Sequence, residues 1–198
     1  ISFVNDNSSA GGKSLVLGDN VTAQDNMWVG AEWIPYNSTD LYEIAFDVEF
    51  LACDSAAAAL LGVSAVDRVG NNLGSTYNYV VANIVQSENL GRKTLKGYLS
   101  GFTNGGGSGV ANDPASPAGL PDGSAFGYGQ GGAVKFKPLA LVNYDSKAGS
   151  VKIHAVRVTR LPGRVATQNE IAFGGVFLKE AFGGAVASLA NFKTSVGT

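Results

Sequence analysis

Apolar and polar residues alternate with a period of two along most of this chain. The clearest run is LYEIAFDVEFL, in which Tyr42, Ile44, Phe46, Val48 and Phe50 alternate with Glu43, Ala45, Asp47 and Glu49. Successive side chains of a strand point to opposite faces, so this run predicts an antiparallel strand with one face on a core and the other in water or a cleft. Weaker runs of the same kind are SLVL (Ser14 to Leu17), MWVGAEWI (Met27 to Ile34), LLGVSAVD (Leu60 to Asp67) and YNYVVANIV (Tyr77 to Val85). KTLKGYLSGF (Lys93 to Phe102), AVKFKPLALVNY (Ala133 to Tyr144) and SVKIHAVRVTRL (Ser150 to Leu161) complete the set. Turn signals such as PYNSTD, RVGNN, SENLG and YDSKAGS lie between them. Strands joined by short turns, without helical crossovers, predict an all-β antiparallel sandwich of jelly-roll type.

Two strands change phase midway. Val151 and Ile153 share one face, and then Val156 and Val158 take it over. A one-residue slip of that kind predicts a β-bulge near His154 and Ala155. KFKPLALV slips in the same way around Pro138, which cannot donate to a ladder and belongs at an edge or a bulge.

The stretch TNGGGSGVANDPASPAGLPDGSAFGYGQGG, from Thr103 to Gly132, has the composition of a linker. Only two strands follow it, and a two-stranded hairpin is not independently stable. Those strands must join the sheets built before the loop, so the stretch is one long loop on one domain. The predicted domain covers residues 1–161. Beyond it, VFLKEAFGGAVASLANF places Val176, Phe177, Phe182, Val186, Leu189 and Phe192 mostly three and four residues apart. That spacing suits an amphipathic helix or a segment packed against sister chains. Gly183 and Gly184 weaken a free helix by about 1 kcal/mol each, which favours a C-terminal linker and oligomerisation segment over residues 162–198.

Composition narrows the partners. The 198 residues are 45% hydrophobic and 15% charged, with a formal net charge of -2. The chain can bury a core, and it lacks the basic excess that nucleic acid requires. Its longest apolar run, AAAALLGV, is far shorter than the ~20 residues of a spanning helix, so membrane insertion is not expected. The chain opens at Ile1 and its one methionine is Met27, which suggests a processed product or a piece of a longer polypeptide. The single cysteine, Cys53, has no partner for an internal disulfide and reads as a buried, inert thiol.

The order of motifs carries a family resemblance. WVGAEWIPYNSTDLYEIAFDVEF, KGYLSGF, the Gly/Pro-rich loop and FKPLALVNYDSKAGSVKIHAVRVTRL resemble the carbohydrate-binding-module-like jelly rolls of bacteriophage tail fibres and tailspikes, over about Trp28 to Leu161. AFGGVFLKEAFGGAVASL is similar to the shaft or trimerising segments that follow such domains. The resemblance implies a receptor-binding module of a virion, extracellular and homotrimeric. Its partners would be bacterial cell-surface polysaccharide and other virion proteins. Many such jelly rolls carry an aspartate in the final strand near a structural calcium. Here His154 stands at that place, and a neutral imidazole is a poor ligand for a hard cation, so no cofactor or metal is expected.

Catalytic signatures are sparse. His154 is the only histidine, and neither a nucleophile motif nor a Ser-His-Asp spacing stands near it. A histidine packed or hydrogen-bonded at a bulge is the better reading. Asp47 and Glu49 share a face and could flank a sugar, but same-face carboxylates on a strand are more often its solvated side. Asn112, Asp113 and Asp122 lack the regular spacing of a calcium loop, and GGGSG lacks the Lys-Ser/Thr end of a phosphate loop. The chain is therefore not expected to be an enzyme. Aromatic residues remain as glycan candidates, because their flat faces suit the C–H faces of sugar rings. They are Tyr98, Phe102, Tyr128, Tyr77, Tyr79 and Trp28. The alternative is a purely structural domain that spaces or trimerises the fibre without binding a ligand.

Overall fold

Twelve strands account for nearly all the regular structure in the computed structural model, which describes residues 1–18, 26–53, 58–85, 91–105, 109–127, 131–142, 149–161 and 175–181. In chain order they are β1 (Ser2–Asn5), β2 (Lys13–Leu17), β3 (Asn26–Val29), β4 (Ile34–Pro35), β5 (Leu41–Cys53) and β6 (Ala58–Val66). Then come β7 (Asn72–Val85), β8 (Gly91–Thr103), β9 (Ala118–Pro121), β10 (Lys135–Val142), β11 (Gly149–Leu161) and β12 (Gly175–Ala181). No α-helix occurs among the described residues. One sheet has the order β1-β2-β11-β5-β8-β9, with β12 also on β11, and the other has the order β3-β10-β6-β7, with β4 also on β10.

The pairs β2–β11, β3–β10, β5–β8 and β6–β7 are all antiparallel and nest one inside the next along the chain. A long ribbon of nested pairs, rolled so that alternate pairs fall in opposite sheets, is a jelly roll. The predicted sandwich is therefore the observed fold.

The alternation in LYEIAFDVEFL sets the two faces of the larger sheet. Tyr42, Ile44, Phe46, Val48 and Phe50 are all buried, and they join Val151, Ile153, Val156 and Val158 of β11 and Leu15 and Leu17 of β2. The smaller sheet closes this core with Leu61, Val63, Phe136, Ala140 and Val142. Tyr42 and Phe136 meet edge to face at 5.4 Å. The buried Tyr42 hydroxyl accepts from the Asn37 amide at 2.9 Å and donates to the Pro35 carbonyl at 3.1 Å, so its polar end is satisfied.

The predicted bulge is present. The β11–β5 register shifts between Ile153 and Ala155, which leaves His154 outside the ladder and lets Val156 and Val158 return to the core. Around Pro138 the outcome differs. The β10–β6 register runs unbroken from Lys135 opposite Val66 to Val142 opposite Ala59, with no bulge on β10. Instead Pro138 faces the gap between β4 and β3, where its carbonyl accepts the Gly30 amide at 2.9 Å and its missing N–H deprives no partner. That gap also divides MWVGAEWI into two strands.

The long loop does more than edge the sandwich. Ala111 donates to the Val80 carbonyl at 2.9 Å and accepts from the Tyr98 amide at 2.8 Å, bridging the two sheets. Its β9 runs parallel to β8 and places Leu120 in the core. Residues 175–181, read from spacing as helix or assembly segment, form strand β12 against β11. Residues 182–198 lie outside the described residues.

Candidate functional site

The outward face of the larger sheet carries the polar half of the alternation. Register rows cross it on β8, β5 and β11: Thr94, Asp47 and Ala155 form one, Lys96, Ala45 and Arg157 the next, and Tyr98, Glu43 and Thr159 the third. Alanines 45 and 155 leave a depression between longer neighbours. The turn joining β1 to β2 arches over its edge and completes a cavity of about 370 Å³. Ala45 and Ala155 line it together with Asp47, Arg92, Thr94 and Arg157, and the turn contributes Asn7 to Ala10.

The wall is fixed by a forked ion pair. Arg92 donates Nε–H to Asp47 Oδ1 at 3.0 Å and Nη2–H to Oδ2 at 2.6 Å, while Nη1 reaches the Ser8 carbonyl at 3.2 Å and the Ser8 hydroxyl at 3.0 Å. Two parallel charge-assisted bonds hold a guanidinium in one orientation. The arrangement ties the turn to the sheet.

Behind the wall lies a buried polar chain. Ser9 Oγ is 2.8 Å from His154 Nδ1 and 2.6 Å from Ser14 Oγ, and Ser14 donates to Asp6 Oδ2 at 2.7 Å. On its other side His154 Nε2 stands 3.2 Å from Glu49 Oε2. Lys152 bridges both carboxylates, at 3.6 Å from Asp6 and 3.2 Å from Glu49.

Hydrogen bonds from the Ser8 side chain, then from Ser14, hold the Asp6 carboxyl well below its usual 3.8, against the opposing effect of burial. A folded-state pKa below the unfolded one contributes stability above the unfolded value and loses it as pH falls. Melting temperatures of the protein and of Asp6→Asn should therefore differ by a constant amount from pH 7 down to about pH 4.5 and converge at lower pH. A gap that stays constant to pH 3 would show that Asp6 is not held this way.

The aromatic candidates do not gather at one place. Tyr98 lies on the same outward face as the cavity, half-buried, with its hydroxyl donating to Glu43 at 3.0 Å beside the Lys96–Glu43 pair. Burial, then that hydrogen bond, raises its pKa. Phe102 is 50% exposed at the end of β8, edge to face with Tyr36 at 6.0 Å. Trp28 packs on the main core, and Tyr79 packs on Leu60, Leu139 and Leu141 of the smaller sheet. Tyr77 is on β7, and its side chain, like the whole of Tyr128, lies outside the described residues.

Sequence reasoning missed the turn. Ser9 and His154 are 145 positions apart, and Asn-Asp-Asn-Ser-Ser reads as an ordinary polar loop. The legible signal was the bulge, which predicts a re-aimed side chain without naming what it meets.

No protein-family model matches the chain, and no curated protein matches it in sequence. Over 77% of its length it superposes on 16% of a solved chain described as the bacteriophage CBA120 tailspike protein 4 enzymatically active domain, with 15% identity and a TM-score of 0.43. That neighbour is a phage tailspike domain. The chain spans 16% of the tailspike chain's length. The expectation of a chain without enzymatic activity is corrected here. The neighbouring domain is described as enzymatically active.

Proposed function

We propose that this chain is a module of a homotrimeric bacteriophage tail fibre or tailspike, and that it binds bacterial surface polysaccharide in the cavity on the larger sheet. One observation carries the reading: a cavity of about 370 Å³ with a small apolar floor and a rim of fixed hydrogen-bonding groups. A pyranose presents apolar C–H patches ringed by hydroxyls, and such a floor and rim complement it. Tyr98 stands one register row beyond Arg157, about 7 Å along the strands, where the next sugar of a chain would reach its ring. The trimer rests on the apolar, glycine-containing sequence from Ile171 to Phe192.

Binding of the 198-residue chain to a panel of capsular and lipopolysaccharide glycans tests the reading. Tyr98→Ala should weaken binding several-fold, as loss of an aromatic contact of about 1 kcal/mol implies. Asp47→Asn, which unlocks Arg92, should weaken it about tenfold. Absence of binding across the panel, or full affinity in both variants, would overturn the proposal.

Ester hydrolysis is the second reading, favoured by the contacts from Ser9 to His154 to Glu49. Ser9 Oγ would attack an acyl carbonyl as its proton passed to Nδ1, with Glu49 holding Nε2; the ester C–O bond would break, the alcohol would leave with that proton, and water would then release the acid from Ser9. Against it, Ser9 is buried and its Oγ is also engaged by Ser14 Oγ at 2.6 Å, which leaves an acyl carbonyl little access to it. Binding is therefore the preferred reading. Acetate release from an O-acetylated polysaccharide, lost in Ser9→Ala, would reverse that order.

A further inference from the structure

Resting on the glycan reading, we infer that the cavity selects an acidic saccharide, one whose carboxylate is taken by Arg157. Among the described residues, the acids of this face are already held. Asp47 is held by Arg92, Glu43 by Lys96, and Asp6 and Glu49 by Lys152. Arg92 is committed through both of its terminal nitrogens and Nε. Arg157 lines the same cavity, is exposed, and has no hydrogen-bond or ion-pair partner among the described residues. In the ladder it stands opposite Ala45 on β5 and Lys179 on β12, so no acid faces it from either side.

An unpaired guanidinium beside an alanine floor is a fork with nothing to grip. Guanidinium geometry matches a carboxylate with two parallel N–H···O bonds. The charge also matches. The Arg157 guanidinium carries a single positive charge that balances one monoanion, whereas a phosphate dianion would add excess negative charge between Asp47 and Glu43. A hexuronate meets both requirements: its ring covers Ala45 and Ala155, and its carboxylate reaches the open fork.

The experiment is calorimetric titration of the 198-residue chain with oligomers of galacturonate and glucuronate, each as the free acid and as the methyl ester, with inorganic phosphate as a further arm. Esterification keeps the sugar and removes the charge. At least one acid should bind about tenfold more tightly than its ester, and the advantage should shrink as salt rises. Arg157→Gln should abolish the preference, and Arg157→Lys should retain part of it. Equal binding of acid and ester, or a preference that survives Arg157→Gln, overturns the inference and leaves the glycan reading standing. Binding of phosphate with neither saccharide, or no binding at all, overturns the inference and counts against the glycan reading.

Discussion

Replacing His154 by alanine should cost about 3 kcal/mol of stability and detach the turn that covers the cavity. His154 is 1% exposed and stands between two carboxylates, 3.2 Å from Asp6 and 3.2 Å from Glu49. Without the ring, those carboxylates share only Lys152, and Ser9 loses the group that orients it. Removing one partner from a buried charged network is costly because the others stay desolvated. The loss corresponds to a melting temperature lower by about 9 °C in a domain of this size. It should also be local. Hydrogen exchange at the amides of Ser9 and Gly12, which close the turn onto Asp6 and Ser9, should speed up before the core strands respond. Saccharide binding should fall with it, because Asn7 to Ala10 form one wall of the cavity. Ser9→Ala, which keeps the ring, should cost about 1 kcal/mol. A His154→Ala protein that melts within a degree or two of the parent would mean the network is ornamental.

This network marks how much of the site the sequence could reveal. Period-two alternation located every long strand, because a sheet with one buried face repeats at that period. It also located the bulge at His154, since Val151 and Ile153 cannot share a face with Val156 and Val158 without a slip. The missed strands have other causes. β1 is four residues with no buried position, and β9 is Ala-Gly-Leu-Pro, whose glycine lets it lie beside Phe102. A Cβ on Gly119 would come within 2.6 Å of the Phe102 carbonyl carbon. Residues 175–181 carry helical spacing and still form a strand, because they pair with β11, a tertiary fact that outweighs local pattern. The cavity was illegible for a similar reason. Its turn, its bulge and its arginine fork come from three distant segments, and only the nested pairing brings them together. Long-range charge pairs leave no spacing to read. The aromatic residues could be read, yet their alternation could not tell which face would be left open.

The largest single effect should come from one glycine of β8. Gly97 pairs with Ile44 and so takes an inward position, where the backbone of β7 crosses directly over it. A Cβ there would lie 2.3 Å from the Val80 carbonyl oxygen, 2.6 Å from its carbon and 2.7 Å from Val81 Cα. All three are backbone atoms, so no change of rotamer relieves the clash. Moving them apart would break the bridge in which Ala111 donates to Val80 and accepts from Tyr98. Gly97→Ala should therefore destabilise the domain by more than about 4 kcal/mol, beyond the usual range of single substitutions. The expected observation is loss of a cooperative melt or of soluble protein. Gly109→Ala is the control: its Cβ meets nothing within 4 Å, and it should change stability by less than about 0.5 kcal/mol. A Gly97→Ala protein that melts like the control would show that β7 and β8 are further apart than described. Any partially folded Gly97→Ala protein should also bind saccharide poorly. β8 carries Arg92, Thr94 and Tyr98 outward from the same strand, and a displacement of its backbone moves the wall, the rim and the neighbouring ring together.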